Sequence, residues 1–158
     1  MATVYSSAME NYKKGNYRQA LSAFRNSLEL GNERSAYGLA LCMHFGRGMF
    51  VDKSSAKQLI DGYLDRIRGM AEGGDGEACQ VMGLYYYEGV FAERNLPLAE
   101  SWFARGAEAG DSDCKVYLNE LKDRRLTTCL QCDRRGAVKL RPAVLLEVYV
   151  NVCIVWTK

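Results

Sequence analysis

The stretch SAYGLALCMHFGRG, residues 35–48, decides the fold, because a second copy of it follows as ACQVMGLYYYEGVF at residues 78–91. A shift of 43 residues aligns the two copies without a gap. The shift pairs small residues with small ones and large residues with large ones: Ala40 with Gly83, Gly46 with Gly89, Ala56 with Ala99, and Leu59 with Trp102. An internal repeat of this length is typical of arrays of helix pairs.

Each copy predicts two antiparallel helices. Small residues such as Ala40 and Gly83 let two helix backbones approach closely, and the glycines after each helix permit a left-handed cap. Three aspartates that follow these glycines are candidate N-caps: Asp75, Asp111 and Asp113. Beyond the shared part the first copy is seven residues longer, which is about two helical turns. We therefore expect a longer second helix in that copy, with its apolar face not rotated.

The repeated small, apolar and aromatic residues, followed by Gly and by Ala–x2–Leu or Ala–x2–Trp, resemble the Sel1-like repeat, a relative of the tetratricopeptide repeat. In the first copy the matching residues are Ala40, Gly46, Gly48, Asp52, Ala56 and Leu59. In the second they are Ala78, Gly83, Tyr86, Gly89, Ala99, Trp102, Gly106, Ala107 and Gly110. The second copy departs from the family pattern at Phe91 and Asn95, where glycine and aspartate are usual, so we expect an altered turn there.

The N-terminal stretch NYKKGNYRQALSAFRNSLEL, residues 11–30, resembles one tetratricopeptide unit. Its signature positions hold Tyr12, Gly15, Tyr17, Ala20, Phe24 and Leu28. The resemblance implies an all-α fold, a right-handed α-solenoid of tetratricopeptide and Sel1-like helix pairs with about seven helices. We expect a repeat domain over residues 1–126, with units near 1–32, 33–74 and 76–110 and a half-unit at 112–125.

Residues 127–158 form a tail without a helical period. Val148, Val150 and Val152 alternate with Tyr149 and Asn151, which is the period of a strand. We expect an irregular or β-like segment here, and the sequence leaves open whether it is a native cap or an alternative or truncated end.

The run Tyr85–Tyr86–Tyr87 predicts three different environments, because successive residues on a helix turn by about 100°. Tyr86, three residues after Gly83, is expected to pack against the partner helix. Tyr87 is expected to face a binding groove.

The resemblance also implies a function, since helix-pair arrays bind ligands on the concave face lined by the first helix of each unit. Tetratricopeptide groove positions carried over to this chain are Tyr5, Met9, Tyr12, Lys13, Arg34, Tyr37, Leu41, His44, Phe45, Glu77, Gln80, Leu84, Tyr87 and Glu88. Aromatic side chains among mixed charges suit a peptide or helical segment of another protein. We expect a non-catalytic adaptor or scaffold.

The composition argues against nucleic acid and membranes as partners. The formal charge of +2, from 21 basic and 19 acidic residues, is too small to indicate a nucleic-acid partner. No run of apolar residues is long enough for membrane insertion, and the first residues lack an apolar signal core. We expect a cytoplasmic protein, with a nuclear location left open.

No motif for catalysis, a cofactor or a metal stands out. Cys129 and Cys132 form a single C–x2–C pair, whereas zinc takes four ligands, and the one histidine, His44, lies far along the chain. Loops that cradle phosphate are absent from the sequence. We expect no enzyme, no cofactor and no metal. Two alternatives stay open: a secreted Sel1-like protein stapled by disulfides, with an enzyme-like or ligand-binding role, and a truncated product without a function of its own.

Overall fold

The computed structural model describes residues 3–129, with only the backbone described for 125–129. These residues form seven helices and no strand, which confirms the all-α prediction for this part of the chain. The helices are α1 (Val4–Lys13), α2 (Tyr17–Glu29), α3 (Ser35–Phe45), α4 (Lys53–Glu72), α5 (Gly76–Glu88), α6 (Leu96–Glu108) and α7 (Ser112–Cys129). The β-like pattern of residues 148–152 lies outside the described residues.

Three helix pairs, α1/α2, α3/α4 and α5/α6, pack within themselves, and α2 and α4 pack in addition against the first helix of the next pair. Helix α3 therefore lies between α2 and α4, and α5 lies between α4 and α6. Eight consecutive residues are buried in each, 35–42 and 78–85. A helix that is buried all round has no single apolar stripe. This enclosure limits what the periodicity of the first helices can predict.

The turns of the two Sel1-like copies begin and end in the same way. Gly46 and Gly89 both end their first helix with φ of 67°, a conformation that favours glycine. Asp52 and Asn95 then N-cap α4 and α6, because each side chain accepts from the backbone N–H three residues further on. Their own N–H groups donate to a carbonyl of the preceding helix at 2.9 Å in both copies. At Asn95 the expectation of an altered turn is wrong, because the asparagine side chain accepts the same hydrogen bond as the aspartate. At Phe91 the turn does differ, because its counterpart Gly48 has φ of 82° and no described residue other than glycine has a positive φ.

The extra length of the first copy lies in α4, which has 20 residues where α6 has 13. Its buried residues Ala56, Ile60, Ile67 and Ala71 continue one face along the helix. Ile60 and Ile67 are seven residues apart, close to two turns, so the insertion extends the face without rotating it. The predicted longer helix is confirmed.

Close packing at two glycines joins the helices. A Cβ added to Gly83 would lie 2.3 Å from a ring carbon of Phe103 in α6, and one added to Gly38 would lie 2.4 Å from Phe24 in α2. Both phenylalanines are fully buried. At these two positions the first helix meets a phenylalanine ring with no space for a methyl group.

The first of two compact units ends at Val116, so the three helix pairs and the first turn of α7 belong to it. Of the second unit, which begins at Tyr117, the described residues are the continuation of α7. The domain boundary at residue 126 stays a prediction.

Candidate functional site

A cleft of about 820 Å³ lies in the first unit, between one face of α1 and the N-terminal turns of α5 and α7. The N-cap and helix α1 contribute Thr3, Ser6, Glu10 and Lys13, which recur every three or four residues and so share one face. Arg34 adds a side chain from the start of α3. The volume is within the range of ligand pockets, about 300–1,000 Å³.

Two copies of a Gly–Asp turn build the opposite wall. Asp75 and Asp111 each accept a hydrogen bond from the backbone N–H three residues further on, at 2.9 and 2.7 Å, and so cap α5 and α7. Their own N–H groups donate to the carbonyl five residues back, at 3.1 and 3.0 Å. These two predicted N-caps are confirmed. Asp113, the third candidate, lies inside the first turn of α7 instead, because Asp111 already occupies the cap.

Arg34 is the cation that orders the wall near α5. Its guanidinium donates to both carboxylate oxygens of Asp75, one of them at 3.1 Å, and to Asn32 at 3.2 Å, and lies 3.9 Å from Glu77. The hydrogen bond to Asp75 raises the pKa of Arg34. Burial opposes ionisation of Asp75, but the hydrogen bonds from Arg34 and the Ala78 N–H outweigh it, so the pKa of Asp75 lies below its usual value.

Asp113 joins α1, α5 and α7 across the cleft. The same carboxylate oxygen accepts from Lys13 Nζ at 3.1 Å and from Gln80 Nε2 at 2.9 Å. Gln80 is only 2% exposed, yet it lines the cleft. Its carboxamide oxygen, Oε1, accepts no hydrogen bond from any of residues 3–129. The residue is buried, but this oxygen is not among the buried polar atoms that lack a partner, so it is accessible from the cleft.

The cleft is acidic. Its lining includes five carboxylates and two cations, a formal charge of −3: Glu10, Asp75, Glu77, Asp111 and Asp113 against Lys13 and Arg34. The whole chain carries +2. Both cations are already engaged with carboxylates of the cleft.

Of the fourteen predicted groove residues, four line the cleft: Lys13, Arg34, Glu77 and Gln80. Five others are at most 4% exposed and belong to the core: Tyr5, Met9, Tyr37, Leu41 and Leu84. Tyr5 of α1 packs beside Phe24 of α2, and α3 and α5 have neighbouring helices on two sides, so these positions assigned to the groove from spacing lie in the core instead.

Helix α3 and the C-terminal end of α5 bring a second group of predicted residues together. The buried Tyr37 hydroxyl donates to Glu88 Oε2 at 2.8 Å, and Phe91 meets the rings of Tyr37 and His44 edge-on at 6.1 and 5.4 Å. The Glu88 residue is exposed, but its carboxylate reaches the buried hydroxyl. Lost hydration there raises the pKa of Glu88, opposed by the hydrogen bond from Tyr37 and by Arg47.

Arg47, in the turn after α3, contacts aromatic rings from two repeat units. Its guanidinium carbon lies 4.7 Å from the ring centroid of Tyr12 and 5.1 Å from those of Tyr17 and Phe45. Burial raises the pKa of Tyr12 to about 12, although Arg47 opposes the shift. Two predicted groove residues, Tyr12 and the half-exposed Phe45, therefore pack against the guanidinium of Arg47.

The tyrosine run is arranged differently from the prediction. Tyr85 is the buried member at 5% exposure, and Tyr86 is half-buried and packs edge-on against it at 5.2 Å. Tyr87 is half-buried against Phe103 of α6 at 6.2 Å, with Arg94 over its ring at 5.6 Å. The expectation that Tyr86 is the packed tyrosine is wrong, because α5 has neighbours on two sides and Gly83 marks only one of them.

The charged residues of the cleft that were not among the predicted groove positions are Glu10, Asp75, Asp111 and Asp113. The repeated Gly–Asp turn already marked Asp75 and Asp111 in the sequence, as helix caps. No pattern in the sequence indicated the ring contacts of Arg47, because its ring partners come from helices far apart along the chain.

The cysteines whose side chains are described, Cys42, Cys79 and Cys114, are free and buried, as predicted. Burial raises the pKa of Cys42 to about 11 and raises that of Cys114 further. Cys132 lies outside the described residues. Among the described side chains, those of residues 3–124, no three His, Cys, Asp or Glu are placed to hold a metal ion, and within residues 3–129 no helix is both long and apolar enough to cross a bilayer.

Comparison with solved structures found a likeness to a Sel1 repeat protein. The crystal structure of a Sel1 repeat protein from Oxalobacter formigenes aligns with 75% of this chain at 14% identity and a TM-score of 0.35, and the alignment covers 63% of that protein. No protein-family model matches the chain, and no curated protein sequence matches it. The order of a tetratricopeptide-like unit before a Sel1-like unit with a long second helix predicts a resemblance to the megalin-binding protein, and these comparisons do not support it. The helix-pair fold stands on the packing and turns described above.

Proposed function

We propose that the chain is a non-catalytic adaptor or scaffold that binds a segment of another protein in the cleft between α1, α5 and α7. The observation that carries the proposal is the cleft itself, about 820 Å³ with walls from the first helices of different repeat units. Such a surface exists only when the repeats are stacked, which is how helix-pair arrays form their binding faces.

The proposal narrows the predicted binding residues. Those that line the cleft, Lys13, Arg34, Glu77 and Gln80, are assigned contact with the bound segment. His44, Phe45 and Glu88, at the C-terminal ends of α3 and α5, form a second surface that a longer segment would reach. The predicted groove residues that are buried do not contact the bound segment in this proposal, and they support the walls of the cleft by packing in the core. The partner is another protein rather than nucleic acid, and we propose a cytoplasmic location.

The test uses a matched pair of blocking substitutions. Ser112 is exposed, lines the cleft and begins α7, whereas Ser54 is equally exposed in the first turn of α4 and does not line it. Peptides are selected from a displayed random library on the immobilised full-length chain. Their affinities are then measured for the parent, Ser112→Trp and Ser54→Trp.

We expect selected peptides to lose at least about tenfold in affinity for Ser112→Trp, because an indole fills the cleft, and to bind Ser54→Trp as they bind the parent. Melting of each variant checks that the fold is kept. Selection that yields no peptide, or peptides that ignore Ser112→Trp, would overturn the proposal.

A further inference from the structure

We propose that Cys79 of α5 and Cys114 of α7 are an oxidation site, at which a peroxide joins them in an intramolecular disulfide. Both residues belong to the first compact unit, and both are free thiols with no exposure to solvent. The proposed function is not needed for this bond, because no ligand takes part in it. The observation that carries the proposal is that both side chains lie against the same point of Gly106 in α6.

Gly106 lets the two cysteines approach each other because it has no side chain. A Cβ added to it would lie 3.1 Å from the Cβ of Cys79 and 3.1 Å from the Cβ of Cys114. Two atoms that are each 3.1 Å from one point are at most twice that distance apart, about 6.2 Å. The Cβ atoms of a disulfide are usually about 3.5–4.5 Å apart. The two cysteines therefore lie within the disulfide range or exceed it by less than about 2 Å.

Two further contacts hold α5 and α7 together beside the pair. A Cβ added to Gly76 would lie 3.0 Å from the Cβ of Asp111, and each of these residues stands three positions before its cysteine. Gln80 and Asp113, each adjacent to a cysteine in the chain, are joined by a hydrogen bond of 2.9 Å. The spacing of the two cysteine-bearing turns is thus fixed by atoms other than sulfur, so it does not depend on the rotamer of either thiol.

Closing the bond requires the two sulfurs to turn toward each other. The Cys79 thiol donates to the Ala71 carbonyl at 3.3 Å, and the Cys114 thiol donates to the Gly76 carbonyl at 3.7 Å. A thiol is a weak donor, so little is lost when these two hydrogen bonds break. Because Gly76 begins α5, the Cys114 sulfur already lies beside the helix that carries Cys79.

Hydrogen peroxide is an oxidant small enough to suit so enclosed a pair. One thiolate attacks the peroxide and becomes a sulfenic acid, and the hydroxide that leaves takes up the proton of that thiol. The second thiol then displaces the sulfenic oxygen as water. Two thiols lose two electrons and two protons, and one peroxide becomes two waters. Burial raises the pKa of both thiols, so thiolate is scarce in the closed fold and the reaction is slow.

The bond would tie together two helix starts that form one wall of the cleft. It joins positions 35 residues apart and encloses α6 in the resulting loop. Gly76, Gln80 and Asp113, which surround the pair, all line the cleft. In a reducing compartment the pair stays as thiols, and disulfides that form there are usually transient and redox-sensing. Oxidation at this site would therefore fix the spacing of the cleft wall.

The experiment maps disulfides in the reduced full-length chain after treatment with hydrogen peroxide. Trypsin separates the three described cysteines, because Cys42, Cys79 and Cys114 fall in peptides 35–47, 69–94 and 106–115. Remaining thiols are blocked with N-ethylmaleimide before digestion, and linked peptides are identified by mass spectrometry before and after reduction. Cys42 is the matched control, because it is equally buried and its pKa is also raised.

We expect peroxide to link peptides 69–94 and 106–115 with a yield at least about tenfold above that of any pair containing 35–47, because the fold holds the two thiols together. In urea this preference should disappear, since Cys42 and Cys79 are 37 positions apart and close a loop of nearly the same length. The linked peptides should persist in Cys42→Ser and be absent from Cys114→Ser. Melting checks that both variants are folded, and the mapping of the parent decides if Cys114→Ser is not.

Three results would overturn the inference. In the first, peroxide leaves Cys79 and Cys114 as separate adducts or separate sulfinic acids. In the second, peptide 69–94 is linked to 35–47 as often as to 106–115. In the third, the folded chain gives the same distribution of linked peptides as the chain in urea. Binding in the cleft enters none of these measurements, so each of them leaves the proposed function standing.

Discussion

Gly83→Ala should destabilise the fold although alanine is the better helix former. The added Cβ would lie 2.3, 2.5 and 2.8 Å from three ring carbons of Phe103. Carbon atoms pack at about 3.5–4.0 Å, so the ring would have to move by more than about 1 Å. Phe103 is fully buried, and its ring has no solvent into which to move.

The magnitude follows from two opposing effects. Overpacking of this kind costs about 1–3 kcal/mol, and replacing glycine by alanine inside a helix contributes about 1 kcal/mol of stability. Gly62, in the middle of α4, provides the control, because an added Cβ there meets nothing within 4 Å. Gly62→Ala should stabilise by about 0.5–1 kcal/mol. Subtracting one variant from the other cancels the helix term and leaves the steric cost, about 1–3 kcal/mol.

The assay is urea unfolding of the parent and both variants, followed by circular dichroism. We expect the midpoint of Gly83→Ala to fall and that of Gly62→Ala to rise. If both substitutions raise the midpoint equally, α5 and α6 do not meet through this glycine, and the packing of the third helix pair described here is incorrect.

Three further predictions concern the side chains around the first helices. Tyr85→Ala should cost about 3–5 kcal/mol of stability, because the ring of Tyr85 is buried. Tyr86→Ala should cost clearly less, because the ring of Tyr86 is only half-buried. Equal losses in urea unfolding would contradict this difference in burial between the two rings. Arg47→Gln should cost about 1–2 kcal/mol through its three ring contacts, whereas Arg18→Gln, at an exposed position of α2, should leave the unfolding midpoint unchanged. Glu88 has a raised pKa in the folded state, so its contribution to stability is full below the usual carboxyl pKa and is lost as pH rises through the folded pKa. Glu88→Gln should therefore match the parent in acid and exceed it near neutral pH in an unfolding series across pH, and a gain confined to acid would contradict the sign.

The sequence by itself determined the repeat, the helix pairs and their caps. Gly46 and Gly89 end their helices through a left-handed backbone, and Asp75 and Asp111 cap theirs through hydrogen bonds to groups three residues away in the chain. Because these interactions are local, the spacing of residues reveals them. Residues that the 43-residue shift pairs, such as Asp52 and Asn95, therefore form equivalent hydrogen bonds in the two copies. The length of α4 followed for the same reason.

Only the tertiary structure decided which side chains of the first helices face the cleft. Because α3 and α5 are buried all round, their sequences contain no stripe that separates core from groove, and Tyr85 rather than Tyr86 is buried. The cleft also joins residues that are distant in sequence, with Lys13 bonded to Asp113. Its acidity arises from the placement of capping aspartates beside α1. That placement depends on how successive pairs stack, which no residue spacing within a single repeat encodes.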